Sequence, residues 1–317
     1  MPKAPPIAVH DFRKTFHVGL SRKVSEAAKK IDFEVNLGEI FGFLGPNGAG
    51  KTTTIKALLG LVRPSGGEIH IWGESPQGSA WKKRVGYMPE HPTFYDYLTG
   101  LEMVTWFGRL SGMSKSDATA RAEQLLDRVG LAHAMKRRLR GYSKGMLQRA
   151  GLAQSLVADP DLLILDEPMT GLDPIGRKEI RELLLELRNE GKTIFYSTHI
   201  LPDVEMTADR VSIINKGVTI RTGRLSEILD ETTRGVVVVV DGLSEDNAKQ
   251  LSTDFPTLAA FEGAHRIDLS SHDEATAFLA KATAAGATLR RFEPHRDDLE
   301  TIFVRSLEKK NEGGTAA

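Results

Sequence analysis

Between residues 7 and 223, short runs of β-branched and other apolar residues alternate with stretches whose apolar positions recur every three or four residues. That alternation predicts an α/β domain around a largely buried sheet. The clearest strands are 39–44, 162–165, 193–196 and 211–214, each followed by a polar or glycine-rich turn. Ligands of such sheets gather where strands end, so chemistry is sought in those turns first. From 98 to 157 the pattern becomes helical: LEMVTWFGRLSG and SDATARAEQLLDRVGLA carry apolar residues at helical spacing, with Ser116 as a cap. This stretch reads as a helical insertion.

After Gly223 the texture changes. A strand at 234–241, a helix at 244–253, a hairpin from 257–261 and 266–269, a helix at 272–284, a strand at 289–293 and a last helix at 297–309 are expected. The order β-α-β-β-α-β points to a small C-terminal α+β module, ferredoxin-like, over 234–309. Residues 310–317, ending NEGGTAA, read as a disordered tail.

Lys plus Arg is 42 and Asp plus Glu is 42, so formal charge is zero and no nucleic-acid partner is expected. The basic run at 136–140, KRRLR, reads as a solvated face. The 317 residues include no cysteine, which removes disulfides, cysteine nucleophiles and thiolate metal sites. No apolar run approaches the ~20 residues that cross a bilayer; the five valines 236–240 are of strand type. The start, MPKAPPIAVHDF, lacks an apolar signal-peptide core, so neither a membrane span nor secretion is expected.

The strongest local feature is GPNGAGKTT, comprising Gly45, Pro46, Asn47, Gly48, Ala49, Gly50, Lys51, Thr52 and Thr53, between a strand and a helical stretch at 55–61. It matches G-x-x-x-x-G-K-[ST], in which glycines let backbone N–H groups wrap phosphates. Lys51 would reach the β- and γ-phosphates, and the Thr52 hydroxyl would hold Mg²⁺. LLILDEP, at 162–168, delivers Asp166 to a strand end, where it could hold the same metal through water, with Glu167 next as a candidate general base. Alone, an apolar run ending in Asp-Glu is also an ordinary acidic turn; beside a P-loop it gains its meaning. A third strand, TIFYS, leads to His199, placed to hydrogen-bond a γ-phosphate oxygen, although a lone His after a strand is often structural.

With these motifs the chain resembles the ATP-binding subunit of an ABC transporter, a P-loop NTPase fold, over residues 7–223. YSKGMLQR, at 142–149, resembles the family's signature loop LSGGQ: Ser143 and Gly145 are retained, while Tyr142, Lys144 and Met146 depart from it. GLDP, with Asp173, resembles the D-loop, and STH the switch-histidine loop. The resemblance implies that Phe16, where the family usually has Tyr, stacks on adenine; a core Phe is the other reading. It also implies that Glu90, in VGYMPEHP, stands where the Q-loop Gln senses γ-phosphate and Mg²⁺; a surface Glu is the alternative.

The resemblance implies an ATPase, turning ATP and water into ADP and phosphate, that powers export through separate transmembrane permease subunits. The implied cofactors are ATP and Mg²⁺. The implied state is a homodimer with composite sites, peripheral on the cytoplasmic face of the membrane. YSKGMLQR, GLDPIGR and the extension with DDLETIFVRSLEKK resemble the bacterial ABC-2-type exporter subgroup. The alternative is a soluble ABC-type ATPase unlinked to transport. Its translation and chromosome classes resemble paired or split cassettes, whereas this chain holds one unsplit cassette. A non-catalytic nucleotide-binding regulator is disfavoured because Lys51, Asp166, Glu167 and His199 are all present.

Overall fold

The runs IFGFL, LLILD and TIFYST are buried at every position, as strands covered on both faces must be. They form the centre of a computed structural model that describes residues 4–18, 23–230, 233–296 and 299–303. Two compact units divide it, Met1–Leu225 and Ser226–Ala317.

The first unit opens with an antiparallel hairpin, β1 (Ile7–Val18) and β2 (Lys23–Val35), followed by β3 (Ile40–Leu44), α1 (Lys51–Leu58), β4 (Gly66–Ile71) and β5 (Val85–Met88). Three helices then intervene: α2 (Gly100–Leu110), α3 (Lys115–Arg128) and α4 (Lys144–Leu156). The chain returns through β6 (Leu162–Asp166), α5 (Pro174–Asn189), β7 (Thr193–Thr198), α6 (Leu201–Glu205), β8 (Arg210–Asn215) and β9 (Val218–Arg224), and α7 (Leu225–Asp230) starts at the boundary with the second unit. Among the described residues one sheet has the order β4-β1-β2-β9-β8-β3-β7-β6-β5. Its β8-β3-β7-β6-β5 portion is parallel, so the carboxyl ends of these strands open on one edge.

Phe33, Phe41, Phe43 and Phe195 form an aromatic cluster with ring centroids 5.1–5.9 Å apart. Ile55 and Leu58 of α1 belong to the same core, and α5 packs on β3 and β7. In the helical stretch α2 packs on both α3 and α4, and α4 on β5. Thr99 and Glu102 close a capping box at the start of α2. The cap of α3 is Ser114, not the expected Ser116. Its Oγ accepts from the Asp117 N–H, three residues on, whereas Ser116 already stands inside the first turn. The expected helix at 55–61 instead begins at Lys51 and ends at Leu58, because Gly60 turns the chain at φ +71° and leaves Leu61 exposed.

The second unit runs β10 (Thr233–Asp241), α8 (Glu245–Asp254), β11 (Ala259–Phe261), β12 (Ala264–Leu269), α9 (His272–Ala284) and β13 (Thr288–Arg296). Its antiparallel sheet has the order β11-β12-β10-β13. The alternate valines Val236, Val238 and Val240 join Leu251, Phe255 and Phe278 in its core, as a strand's period of two requires. Of the helix expected at 297–309, residues 299–303 are helical; the rest of it, and the tail at 310–317, lie outside the described residues.

Phe195 touches all three of the other rings in the aromatic cluster, so Phe195→Ala is expected to cost about 3–5 kcal/mol in denaturant unfolding of the full chain. A loss below about 1 kcal/mol would contradict the packing described.

Candidate functional site

Residues 45–50 join the end of β3 to the start of α1. Gly50 takes φ +108°, and a Cβ there would lie 2.5 Å from the Ala27 carbonyl oxygen of β2. At Gly45 a Cβ would meet the Ile214 carbonyl oxygen of β8 at 2.6 Å. Both positions therefore require glycine, and the loop is wedged between two strands with Asn47 and Gly48 at its open rim. The first turn of α1 holds no acidic residue, so its free N–H groups and dipole leave a place for an anion.

Lys51, the first residue of α1, is buried. Its ammonium donates to the carbonyl oxygens of Gly45 at 2.7 Å and Pro46 at 3.4 Å and pairs with Glu167 Oε1 at 3.2 Å. Thr52 hydrogen-bonds the Asp166 carboxylate. Thr53 comes next within α1.

β6 carries Asp166 and Glu167 into the sheet's carboxyl edge, where they are 1 % and 4 % exposed. Asp166 Oδ1 accepts from Ser197 Oγ at 2.5 Å. Burial pushes the Asp166 carboxyl above the usual carboxylate range; the charges of Glu90 and Glu167 push the same way, against the hydrogen bonds from Ser197 and Thr52. Burial, aided by the Asp166 charge, pushes the Tyr87 hydroxyl up to about 12.

Glu167 has a left-handed backbone, φ +51°. Its N–H donates to Ser197 O and Oγ, both at 3.1 Å, and its carbonyl accepts from Gln148 Nε2 at 3.0 Å and Thr170 N at 3.1 Å. His199 Nδ1 lies 3.0 Å from both carboxylate oxygens. A carboxylate only accepts, so Nδ1 carries the proton.

Thr52, Asp166 and Glu90 form an oxygen set around mutually repelling carboxylates, which suits a hard divalent cation. Among the described residues no group of three or more His, Asp or Glu could hold a metal alone. The protein would thus supply part of the shell, with phosphate and water oxygens completing it, as Mg²⁺ prefers.

The other sequence-predicted residues fall in different places. Phe16 is 37 % exposed with the Lys14 ammonium 4.9 Å from its ring centroid, so it is no core residue. It pairs with Ser25 on the hairpin whose Ala27 abuts Gly50. Glu90 lies in the loop after β5, half-exposed, near enough for its charge to act on Asp166. Ser143 caps α4, accepting from Met146 N, and a Cβ at Gly145 would sit 3.2 Å from the Leu172 side chain. Asp173 caps α5 through Gly176 N at 2.7 Å. The contacts of Ser143 and Gly145 run to α4 and to the loop before α5. Sequence reasoning misses Gln148 and Thr170; the available signal is an amide on a helix whose neighbours Ala150 to Ala153 are buried.

Because the folded state holds the Asp166 proton more tightly than the unfolded chain, stability falls as pH rises from the unfolded carboxylate value through the raised folded one. Above that window the penalty is complete. Asp166→Asn removes it, so its Tm without ligand at pH 7 should exceed that of the parent, and its stability should fall less across the acid range. Calorimetry from pH 4 to 8 checks this, and a lower Tm for the variant at pH 7 would contradict it.

Residues 28–170 match the ABC transporter family. An uncharacterized ABC transporter ATP-binding protein of Synechocystis sp. is 40 % identical, over 96 % of this chain and 87 % of its own length. The linearmycin resistance ATP-binding protein LnrL of Bacillus subtilis is 32 % identical over 87 % of this chain and 92 % of its own. Bacitracin transport ATP-binding protein BcrA of Bacillus licheniformis is 45 % identical over 59 % and 61 %. Among solved structures, an ATP-binding subunit of an ABC transporter superposes with TM-score 0.62 at 30 % identity, covering 70 % of this chain and 91 % of that one. A dimeric bacterial ABC transporter cassette does so with TM-score 0.64 at 25 % identity, over 69 % and 98 %. With its P-loop, buried carboxylates and likeness over nearly its whole length to such proteins, the chain belongs to the ABC transporter ATP-binding proteins and is an ATPase of the P-loop NTPase fold.

Proposed function

We propose that this ATPase powers export through separate transmembrane permease subunits, working as a homodimer at the cytoplasmic face of the membrane. The observation that carries the catalytic part is Glu167, whose buried carboxylate stands between the Lys51 ammonium and His199 at the mouth of the P-loop. In this reading ATP phosphates draw Lys51 off Glu167 and onto the β- and γ-oxygens, as α1 N–H groups cradle them. The carboxylate so released takes the proton of an attacking water, and His199 steadies the γ-phosphate. Thr52, Asp166 and Glu90 would hold Mg²⁺, which supplies charge neutralisation across the β- and γ-phosphates when bound. Phe16, exposed on the hairpin beside the P-loop, would stack on adenine.

Ser143 and Gly145 open α4 where its N-terminus can meet an anion, and the contacts that hold them run to Met146 and Leu172. They would serve the ATP of a second copy, with Asp173 beside that shared boundary. The exporter assignment draws on LnrL and BcrA, named for linearmycin resistance and bacitracin transport. No helix among the described residues is long and apolar enough to cross a membrane, so the transport path would belong to other chains. Exposed Tyr95 and Tyr97, a few residues after Glu90, and Trp106 of α2, beside a cavity of about 470 Å³, offer an apolar surface to the permease. We assign residues 7–223 to the ATP-binding domain, with its helical subdomain at about 98–157, and 234–309 to a ferredoxin-like accessory module.

Phosphate release from purified chain and co-purification with a membrane protein test the two halves of the reading. Lys51→Ala should abolish turnover by removing the fixed cation that faces the phosphates. Phe16→Ala should weaken ATP binding by about 1–3 kcal/mol, the scale of base stacking on an aromatic ring. Near-normal turnover in the first, unchanged affinity in the second, or exclusive recovery of the chain with ribosomes would each overturn the corresponding part.

A further inference from the structure

A glutamate with φ +51° occupies backbone space that a side chain disfavours, so it persists only where its surroundings over-determine it. At Glu167 those surroundings are specific. Ser197 of β7 takes the N–H, and Gln148 of α4, with Thr170, holds the carbonyl. Gln148 is 2 % exposed, so its amide cannot exchange Glu167 for water. Two further contacts bind the same segment to the same helix. The Lys144 side chain lies against Gly171, and Gly145 lies against Leu172. The chain from Glu167 to Leu172 is thus laid along the first two turns of α4, the helix that Ser143 caps.

We propose that Gln148 is a positioning residue for hydrolysis: by holding the Glu167 carbonyl it fixes the left-handed turn that aims the carboxylate at its water. This rests on the reading of Glu167 as general base and of Ser143 as a contact to the second copy's ATP. It adds a direction of communication within one chain. When the second copy's phosphate seats at Ser143, any shift of α4 passes through the Gln148 amide to the backbone of Glu167, so engagement at one site adjusts the base of the other. The Gln148 amide holds the Glu167 backbone, whereas Lys51 of the P-loop pairs with the Glu167 carboxylate, so loss of the amide should fall on kcat well before ATP affinity.

The test is steady-state phosphate release by the full chain carrying Gln148→Met, which keeps length and volume but removes the donor, and Gln148→Glu. For Gln148→Met, kcat is expected to fall at least ~10-fold, the scale of a small misplacement of a catalytic group, with KM and Kd for ATP within about twofold of the parent. For Gln148→Glu, a protonated acid donates to the Glu167 carbonyl while a carboxylate repels it. Its kcat relative to the parent should therefore rise as pH falls from 8 to 6, a readout that also decides the matter if Gln148→Met fails to fold. Parental kcat in Gln148→Met, or a Gln148→Glu profile parallel to the parent's, overturns the proposal. So does a loss of ATP affinity equal to the loss in kcat, the mark of a merely structural role. Lys51→Ala separates the levels. If it is inactive while Gln148→Met is fully active, only the positioning role fails; if it is active, the hydrolytic reading fails as well.

Discussion

Two adjacent carboxylates, Asp166 and Glu167, are buried at the end of a strand, and much of the first unit is arranged around the cost of keeping them there. Burial of unpaired charge is prohibitive, so each has compensation from a different element. Asp166 takes hydroxyls from Thr52 of α1 and Ser197 of β7, and still remains easier to protonate than an ordinary carboxyl. Glu167 takes Lys51 and His199. The parallel order that sets β3, β7 and β6 side by side is what lets the P-loop, Ser197, His199 and the carboxylate pair meet at one edge.

Lys51 folds back on Gly45 and Glu167, a pairing that phosphate oxygens can replace charge for charge. The same electrostatics favour a divalent cation near Asp166, since its charge would offset the burial, and after it the Glu90 and Glu167 charges, that raise the carboxyl's proton affinity. α4 is the mechanical counterpart. Its Gly151 faces Pro92 of the loop after Glu90, its Gln148 holds the Glu167 backbone, and its cap is the exposed Ser143, so one helix touches both the loop beyond Glu90 and the loop that carries Glu167.

The P-loop is legible in the sequence because its glycines encode backbone geometry directly: the approaches of Ala27 and Ile214 to Gly50 and Gly45 tolerate no Cβ. The central strands are legible because strands covered on both faces are apolar throughout. Where sequence and structure differ, a choice among local equivalents is at stake. Ser114 and Ser116 are both competent caps, and which oxygen reaches the Asp117 N–H depends on where the chain turns. Leu61 continues an apolar spacing, but Gly60 ends the helix first. Gln148 is invisible for a different reason. A polar residue in a helix reads as solvated, and its burial depends on a loop about twenty residues away laid across it.

If one chain supplies half of each hydrolytic site, as proposed, its oligomeric state must follow the bound nucleotide. Size-exclusion chromatography of Glu167→Gln with Mg²⁺ and ATP or ADP shows this directly, because the amide keeps the shape of the site while removing the proposed base. A dimer is expected with ATP, a monomer with ADP, and loss of the dimer when Ser143→Arg is added although ATP still binds. A Glu167→Gln protein that binds ATP yet stays monomeric at high concentration, with or without its membrane partner, would contradict it.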